Sequence, residues 1–232
     1  MISQHSISSG LKVHIFCNGI FKQQCYIVEH NSSGEVIIVD PGSQGDDIRS
    51  FLLESNLTPR LILLTHGHFD HIGAVEYLSG QFGIECIAHE GDRKLVRQAS
   101  IYAYRIAKQN LLPPKGIKYV DYFDAYTWSG GVVTAFHAPG HTAGSLCYLF
   151  NGNALFTGDV LFNKFIGPTL YSESNLDLLK SSIDELFINC NANNSCIIFP
   201  GHGPSWRFDE AQSWWLLNRV SPPQFSIFKK TD

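Results

Sequence analysis

The sequence predicts an α+β fold in which helices pack on the outer faces of stacked β-sheets. Short runs of β-branched and aromatic residues alternate with helical patterns, and glycine or proline stands at most of the joins. The chain has 232 residues, of which 44% are hydrophobic, so it can bury a sizeable core. No repeat, low-complexity segment or change of composition suggests a linker, and we therefore expect one domain over residues 1–232.

The predicted strands are short apolar runs bounded by turn signals. In chain order they cover residues 11–16, 25–30, 35–40, 60–65, 84–88, 132–138, 145–150, 153–158 and 196–200. Several of these runs end directly before a glycine, a proline or a polar residue. Side chains that follow such strands are expected to collect at the sheet ends.

Helical periodicity marks the other regular segments. Residues 46–55 repeat apolar side chains at helical spacing, and residues 90–110 predict one long amphipathic helix. A third helix is predicted after Ser174, which is its candidate N-cap, and residues 209–220 predict a short last helix. The apolar positions of the third helix are Leu176, Leu179, Ile183 and Leu186, which we interpret as core residues.

Composition disfavours several classes of partner. The formal net charge is -4 and no Lys/Arg-rich run is present, so no nucleic-acid partner is expected. The N-terminus lacks the pattern of a signal peptide, and no apolar run approaches the roughly 18 residues of a membrane span, so the default expectation is the cytoplasm without membrane attachment. The six cysteines contain no CxxC pair and are interpreted as reduced core thiols.

Histidines and aspartates cluster at the ends of predicted strands. The segment THGHFDH places three of the 10 histidines and one aspartate within residues 66–71. His141 lies in AFHAPGHTAG, Asp159 in ALFTGDVLF and His202 in CIIFPGHGP, each after or at the end of a predicted strand and beside glycine. Because loops at one end of a layered fold converge in space, the sequence predicts a shared metal site.

The candidate ligands are His66, His68, Asp70, His71, His141, Asp159 and His202. This set is too large for one tetrahedral ion and suits two divalent cations roughly 3.5–4 Å apart, with a carboxylate between them. Ligation by nitrogen and oxygen without thiolate fits zinc best, and iron or manganese as well.

The remaining histidines are interpreted differently. Those at positions 5, 14, 30 and 89 are expected to be solvated or hydrogen-bonded side chains. Two interpretations of His137 stay open. It is either a structural residue, which is the commoner case, or a partner that orients a metal ligand. Two interpretations also stay open for Tyr102 and Tyr104, which either pack on the surface or line a substrate cleft.

The segments THGHFDH, APGHT, TGD and PGHGP together resemble the metallo-β-lactamase superfamily, in the branch that contains glyoxalase II and related small hydrolases. The resemblance extends from DPGS at residues 40–43 to PGHGP at residues 200–204 and implies a four-layer αββα sandwich with metals at one sheet edge. The ligand assignment it implies is His66, His68 and His141 for the first metal, Asp70, His71 and His202 for the second, and Asp159 as the bridge. Asp40 matches a family aspartate near the site, where it either orients a ligand imidazole or is a simple turn residue.

The resemblance implies a binuclear metal-dependent hydrolase that cleaves a thioester, ester or lactone of a small molecule by a metal-activated hydroxide. Asp70 is expected to be catalytic as well, by orienting the attacking water. Where glyoxalase II enzymes typically contact glutathione through a basic residue and a tyrosine, this chain has Pro168 and Leu170. Lys164 and Tyr171 are the candidates to replace those contacts, and no C-terminal helical domain is expected after PGHGP.

Two other functions stay open from the sequence. Persulfide dioxygenases share the fold and the HxHxDH motif but use one iron, and a related oxidoreductase is the first alternative. A non-catalytic metal-binding protein is the second, although a complete ligand set argues against it. The identity of the substrate, the metal bound in the cell and the oligomeric state are not readable from the sequence.

Overall fold

A computed structural model describes residues 2–7, 10–121, 125–193 and 195–226. Within these residues, the N-terminal part of the chain forms a seven-stranded mixed sheet whose strands lie side by side in chain order. They are β1 (Ile2–Ile7), β2 (Leu11–Asn18), β3 (Gln23–His30), β4 (Glu35–Val39), β5 (Thr58–Leu63), β6 (Glu85–His89) and β7 (Ile117–Val120). Strands β1 to β4 pair antiparallel and β4 to β7 pair parallel.

The later part of the chain builds a second sheet. Its strands begin with β8 (Ala125–Trp128), β9 (Gly131–His137), β10 (Leu146–Phe150) and β11 (Ala154–Gly158). A separate pair, β12 (Leu161–Phe162) and β13 (Phe165–Ile166), precedes β14 (Ile197–Pro200) and β15 (Trp206–Arg207). The spatial order of the second sheet is β15-β14-β11-β10-β9-β8, so β11 and β14 are central neighbours and pair in parallel.

The α-helices of the described chain are α1 (Gly45–Glu54), α2 (Phe69–Ile72), α3 (Val75–Phe82), α4 (Arg93–Tyr102), α5 (Leu176–Asn189) and α6 (Phe208–Asn218). Their buried residues join two outer clusters. The first cluster contains Ile48, Leu78 and Val96 against one face of the first sheet, and the other contains Ile183 and Trp215 against the second sheet. The helices therefore cover the outer faces of both sheets.

A third apolar cluster fills the space between the two sheets. Tyr26 and Val28 of β3 enter it together with Tyr148 and Phe150 of β10, whereas Ile27 of β3 faces the outer cluster. This alternation follows from the two-residue period of a strand, which sends successive side chains to opposite faces. The layers are thus helix, sheet, sheet and helix, and the predicted αββα sandwich is confirmed.

Each predicted strand overlaps an observed strand, but the edges of the sheets were missed. Strands β1, β7, β8 and β15 were not predicted because edge strands have few buried side chains; β1, for example, exposes all but its last residue. The short helices α2 and α3 were also missed. The prediction of reduced core thiols agrees with the structure for five of the cysteines, which are free and buried, and not for Cys17, which is free and exposed.

The prediction of one continuous helix over residues 90–110 is wrong. A 3₁₀ turn covers Glu90–Asp92, α4 follows, and a π-helical segment covers Ala103–Ala107. Asp92 has φ -100° and ψ 3°, outside helical values, and Lys108 ends the segment in a left-handed conformation with φ 56°. The helical pattern in the sequence thus does not show where the backbone departs from α geometry.

The predicted N-cap of α5 is also wrong by one residue. The side chain of Asn175 accepts a hydrogen bond from the Leu178 amide at 3.0 Å, which is the capping contact. The Ser174 hydroxyl instead donates to the Tyr171 carbonyl at 2.7 Å.

Within the described residues, no helix has both the length and the apolar character needed to cross a membrane.

Candidate metal centre

The predicted ligands lie on loops and one short helix at a single edge of the two sheets. His66 and His68 follow β5, and α2 carries Asp70 and His71. The others follow β9, β11 and β14, and they are His141, Asp159 and His202. The side chains of all these residues are buried or nearly so, with side-chain exposures of 16% for His68 and 15% for Asp70 as the largest.

The first group of donors consists of three imidazoles. The Nδ1 atom of His68 lies 3.0 Å from Nε2 of His66 and 3.0 Å from Nε2 of His141. One nitrogen from each ring therefore points into the same small space. Three convergent imidazole nitrogens with a further position left for another ligand are the arrangement that a catalytic zinc site uses.

The second group combines imidazoles with a carboxylate. The Oδ2 atom of Asp70 lies 3.4 Å from Nε2 of His202 and 3.9 Å from Nε2 of His71. These three donor atoms also converge within a few ångströms. A mixed nitrogen and oxygen set of this kind fits zinc, iron or manganese.

Asp159 lies between the two groups. Its Oδ1 atom is 3.4 Å from Nε2 of His71, while its Oδ2 atom is 3.6 Å from Nε2 of His141 and 3.7 Å from Nε2 of His202. Within the described chain, Oδ1 of Asp159 and the Nε2 atoms of His71 and His202 are buried without a hydrogen-bond partner. Buried polar atoms are rarely left without a partner, so these three atoms are suited to bind cations as ligands.

The outer nitrogens of the imidazoles are held by other groups. Nδ1 of His141 lies 2.9 Å from the Pro168 carbonyl, and Nδ1 of His202 lies 3.0 Å from the Phe21 carbonyl. A carbonyl oxygen can only accept, so each Nδ1 must carry the proton and each Nε2 is left with its lone pair facing the centre. The protein thus fixes the tautomer that metal binding requires.

The carboxylate of Asp40 holds the outer nitrogen of His71 in the same way. Its Oδ2 atom lies 2.8 Å from Nδ1 of His71, and its Oδ1 atom accepts from the Thr65 amide at 2.7 Å. The Thr65 hydroxyl in turn lies 3.0 Å from Nδ1 of His66. Of the two interpretations left open by the sequence, these contacts support the one in which Asp40 orients a candidate ligand imidazole, although Asp40 also has a left-handed backbone conformation with φ 51°.

The comparison with known families decides the relationship of this chain. The profile of the metallo-β-lactamase superfamily matches residues 18–205. The chain belongs to the metallo-β-lactamase superfamily.

Individual members of the superfamily are similar over most of the chain. The hydroxyacylglutathione hydrolase GloC of Haemophilus influenzae is 31% identical over 188 residues, which cover 79% of this chain and 86% of that protein. The crystal structure of the BLEG-1 B3 metallo-β-lactamase superposes with a TM-score of 0.78 at 29% identity and covers 92% of this chain and 97% of that one. TTHA1623 in a di-iron-bound form gives a TM-score of 0.72 at 26% identity, with 83% and 93% covered.

Asp92, which was not identified from the sequence, joins the two loops that carry the first group of donors. Its carboxylate accepts from the Gly67 amide at 2.7 Å, from the Gly144 amide at 2.7 Å and from the Thr142 hydroxyl at 2.8 Å. Gly67 lies between His66 and His68, and Gly144 follows His141 in the next loop. Asp92 therefore fixes the spacing of the loops that carry the first group. Its only signal in the sequence is an aspartate in the first turn of the helix predicted over residues 90–110.

Protonation preferences differ between the two groups. Burial, together with the neighbouring imidazole of His68, lowers the pKa of His141 to about 4. Burial also lowers the pKa of His66 well below its ordinary value, and the neighbouring imidazoles of His71 and His68 act in the same direction. Burial acts in the same direction on His71 and His202, but the carboxylates of Asp159 and Asp70 outweigh it and raise both pKa values.

A cleft with a cavity volume of about 80 Å³ opens over the two donor groups. Its walls are formed by Phe21, His68, Phe69, Asp70, Tyr102, Ile106, His141, Asp159, Pro168, Tyr171 and Glu173. Of the two tyrosines left open by the sequence, Tyr102 lines the cleft and Tyr104 is 60% exposed. Tyr171 lines it as well, whereas Lys164 is exposed and lies outside the lining.

The other histidines lie outside the donor groups found in the described chain. Nε2 of His137 donates to the Ala143 carbonyl at 2.9 Å, and its ring stacks on that of His89 with centroids 4.0 Å apart. His14 is buried beside Glu29, and His30 contacts Ser33. These contacts agree with the structural interpretation of each residue.

Proposed function

We propose that the chain is a binuclear metal-dependent hydrolase that cleaves a thioester, ester or lactone. The observation that carries this proposal is the position of Asp159, whose two oxygens face imidazoles of both donor groups. A carboxylate between two closely spaced groups is the arrangement of two-metal hydrolytic sites. The di-iron form of TTHA1623 and the activity in the name of GloC support the same choice.

In this proposal the first metal is held by His66, His68 and His141. The second is held by Asp70, His71 and His202, and Asp159 is shared. Zinc is our first choice, with iron and manganese as the other metals that this donor set accepts. Such cations, when bound, lower the pKa of water and polarise an attacked carbonyl.

The chain's own residues supply positioning and proton handling. Asp70 lines the cleft, and its partial exposure allows the carboxylate to accept a hydrogen bond from the attacking water. The neighbouring His71 and His202 lower its pKa although burial opposes them, so the carboxylate is ionised at neutral pH. Phe69 and Tyr171 border the same space and limit the entry of further water.

The proposal includes a small-molecule substrate and neither nucleic acid nor membrane as partner. The enclosed cleft and the formal net charge of -4 support this part. We also assign the protein to the cytoplasm, since the cysteines of the described chain are free, as expected in a reducing compartment.

The test is a measurement of metal content by mass spectrometry on protein purified without added metal, with thioester hydrolysis assayed on the same preparation. We expect nearly two divalent ions per chain together with turnover. His68→Ala should lose both, because His68 supplies the nitrogen that lies closest to two other ligands. His5→Ala is the matched control, since His5 is exposed on an edge strand.

Two results would contradict the proposal. One iron per chain without hydrolysis would favour an oxidoreductase of the dioxygenase type. Two tightly bound ions without turnover on thioesters, esters or lactones would favour a metal-binding protein without this catalysis.

A further inference from the structure

The walls of the cleft, apart from the proposed ligands, are almost entirely apolar. The residues are Phe21, Phe69, Tyr102, Ile106, Pro168 and Tyr171. Phe21 and Phe69 pack edge to face with ring centroids 5.7 Å apart. Tyr102 and Ile106 stand four positions apart, where α4 passes into the π-helical segment, so they share one side of it. A substrate entering the cleft is therefore surrounded by hydrocarbon and aromatic rings.

The apolar surface continues to the rim. Leu170 lies between two lining residues of the chain, Pro168 and Tyr171, and is 88% exposed. Ile106 is itself 42% exposed while it lines the cleft. Exposed apolar side chains at the mouth of a cleft are typical of a site that takes up an apolar ligand.

Outside the proposed metal ligands, the side chains of the cleft carry charge of one sign only. Among its described lining residues, Glu173 is the only charged group outside the proposed ligands, and no lysine or arginine is present. The Glu173 carboxylate lies 3.5 Å from Nε2 of His68, at the edge of the reacting space. The cation of Lys108, which follows the π-helical segment, lies over the ring of Tyr104 instead. A substrate carboxylate that lies away from the proposed metals would meet the carboxylate of Glu173 and, among the described lining residues, no lysine or arginine.

We propose that this cleft selects thioesters and esters with an apolar, uncharged body over anionic peptide thioesters of the kind named for GloC. The inference rests on the proposed hydrolytic function and specifies its substrate class. In the reaction, the acyl C–S bond breaks, the hydroxyl of water joins the carbonyl carbon, and the remaining proton goes to the released thiol.

The first test places one butanoyl group on two thiols, uncharged N-acetylcysteamine and anionic glutathione, and measures kcat/KM with the metal-loaded protein. We expect about tenfold or more in favour of the uncharged thioester, because like charges at a few ångströms repel. With N-acetylcysteamine as the thiol, lengthening the acyl group from acetyl to butanoyl should raise kcat/KM by about fourfold per methylene.

Two variants connect these preferences to the cleft. Ile106→Ala should flatten the dependence on acyl length, whereas Ile101→Ala, the matched control, should leave it unchanged because Ile101 is 55% exposed and outside the lining. Glu173→Gln should raise kcat/KM for the glutathione thioester more than for the uncharged one. The metal content of Glu173→Gln is measured in parallel, since Glu173 contacts His68.

A second readout separates this inference from the proposed function. Calorimetry measures the affinity for thioethers that cannot be hydrolysed, S-butyl-N-acetylcysteamine and S-butylglutathione. Tighter binding of the uncharged thioether supports the inference even if hydrolysis is absent, which would overturn only the proposed function. Equal or tighter binding of S-butylglutathione, or hydrolysis that prefers the glutathione thioester, overturns the inference and leaves the hydrolase proposal intact.

Discussion

The two donor groups of the metal centre use the same residue type in opposite electrostatic surroundings. His66 and His141 lie mainly against other imidazoles, and burial together with those neighbours lowers their pKa values. His71 and His202 lie against Asp70 and Asp159, which raise their pKa values although burial opposes the effect. Burial lowers the pKa of all four histidines, so the comparison teaches that neighbouring carboxylates can reverse the direction that burial alone would give.

The difference has a consequence for metal binding. The lowered pKa values of His66 and His141 leave these imidazoles neutral at neutral pH, so their lone pairs are available to a cation. In the second group the carboxylates of Asp70 and Asp159 raise the pKa values of His71 and His202, so a cation bound there would compete with protons for these imidazoles. Acid should therefore act on the two groups in opposite ways.

The largest effect is expected when the link between the groups is broken. Asp159→Asn keeps the shape of the side chain but removes the charge that faces both groups, so kcat/KM should fall by about a thousandfold and the metal content should drop. Mass spectrometry and initial rates measure both quantities. Asp47→Asn, an exposed position in α1, is the control. Two retained metals with full activity would show that Asp159 does not join the groups.

The second prediction compares the acid response of the two groups in protein stripped of metal. Because the pKa of His141 is lowered from 6.5 to about 4, the unfolded state binds this proton more readily, and the free energy of unfolding falls as pH decreases from about 7 toward 4. His141→Gln should remove about 2 kcal/mol of that loss at pH 5. Urea denaturation at about pH 7.5 and pH 5 measures the difference.

His202 should respond with the opposite sign. Its pKa is raised in the folded state, so it contributes stability that is fully present below about pH 6.5 and is lost as pH rises through the raised value. His202→Gln should therefore make the protein lose more stability on acidification than the unchanged chain does. Equal slopes for His141→Gln and His202→Gln would contradict the electrostatic difference between the groups.

The third prediction concerns Asp92, which supports the first group only. In Asp92→Asn the amide cannot accept from Gly67, Thr142 and Gly144 together, so the free energy of unfolding should fall by about 1–3 kcal/mol. Metal affinity should fall by about 10–100-fold. Urea denaturation and competition with a chelating dye measure these changes. The exposed Asp121→Asn is the control, and equal effects of both variants would contradict the role of Asp92.

The smallest effect is expected at His137. Its ring donates to the Ala143 carbonyl and stacks on His89, without contact to a proposed ligand in the described chain. His137→Gln can still donate to that carbonyl, so stability should change by less than about 0.5 kcal/mol and kcat/KM by less than about twofold. A tenfold loss of activity with normal folding would show instead that His137 orients the loop of His141.

The sequence predicted the parts of the centre whose signals are local. His66, His68, Asp70 and His71 stand within one short segment, and the spacing alone shows that they can meet. The loops of Asp159 and His202 follow β11 and β14, which the apolar pattern identifies well because these strands are almost fully buried. The loop of His141 follows β9, which is only partly buried, and leads into the fully buried β10. Edge strands such as β1 lack that pattern and were missed.

By itself, the sequence determined the layered α+β architecture and the set of candidate donor residues, since strand burial and ligand chemistry depend on residue types and short spacings. Only the tertiary structure decided which atoms face each other across the centre. The position of Asp159 between the groups, the support of two loops by Asp92 and the carboxylate of Glu173 beside His68 all join residues far apart in the chain. Such contacts depend on how distant loops pack, and no local pattern specifies them.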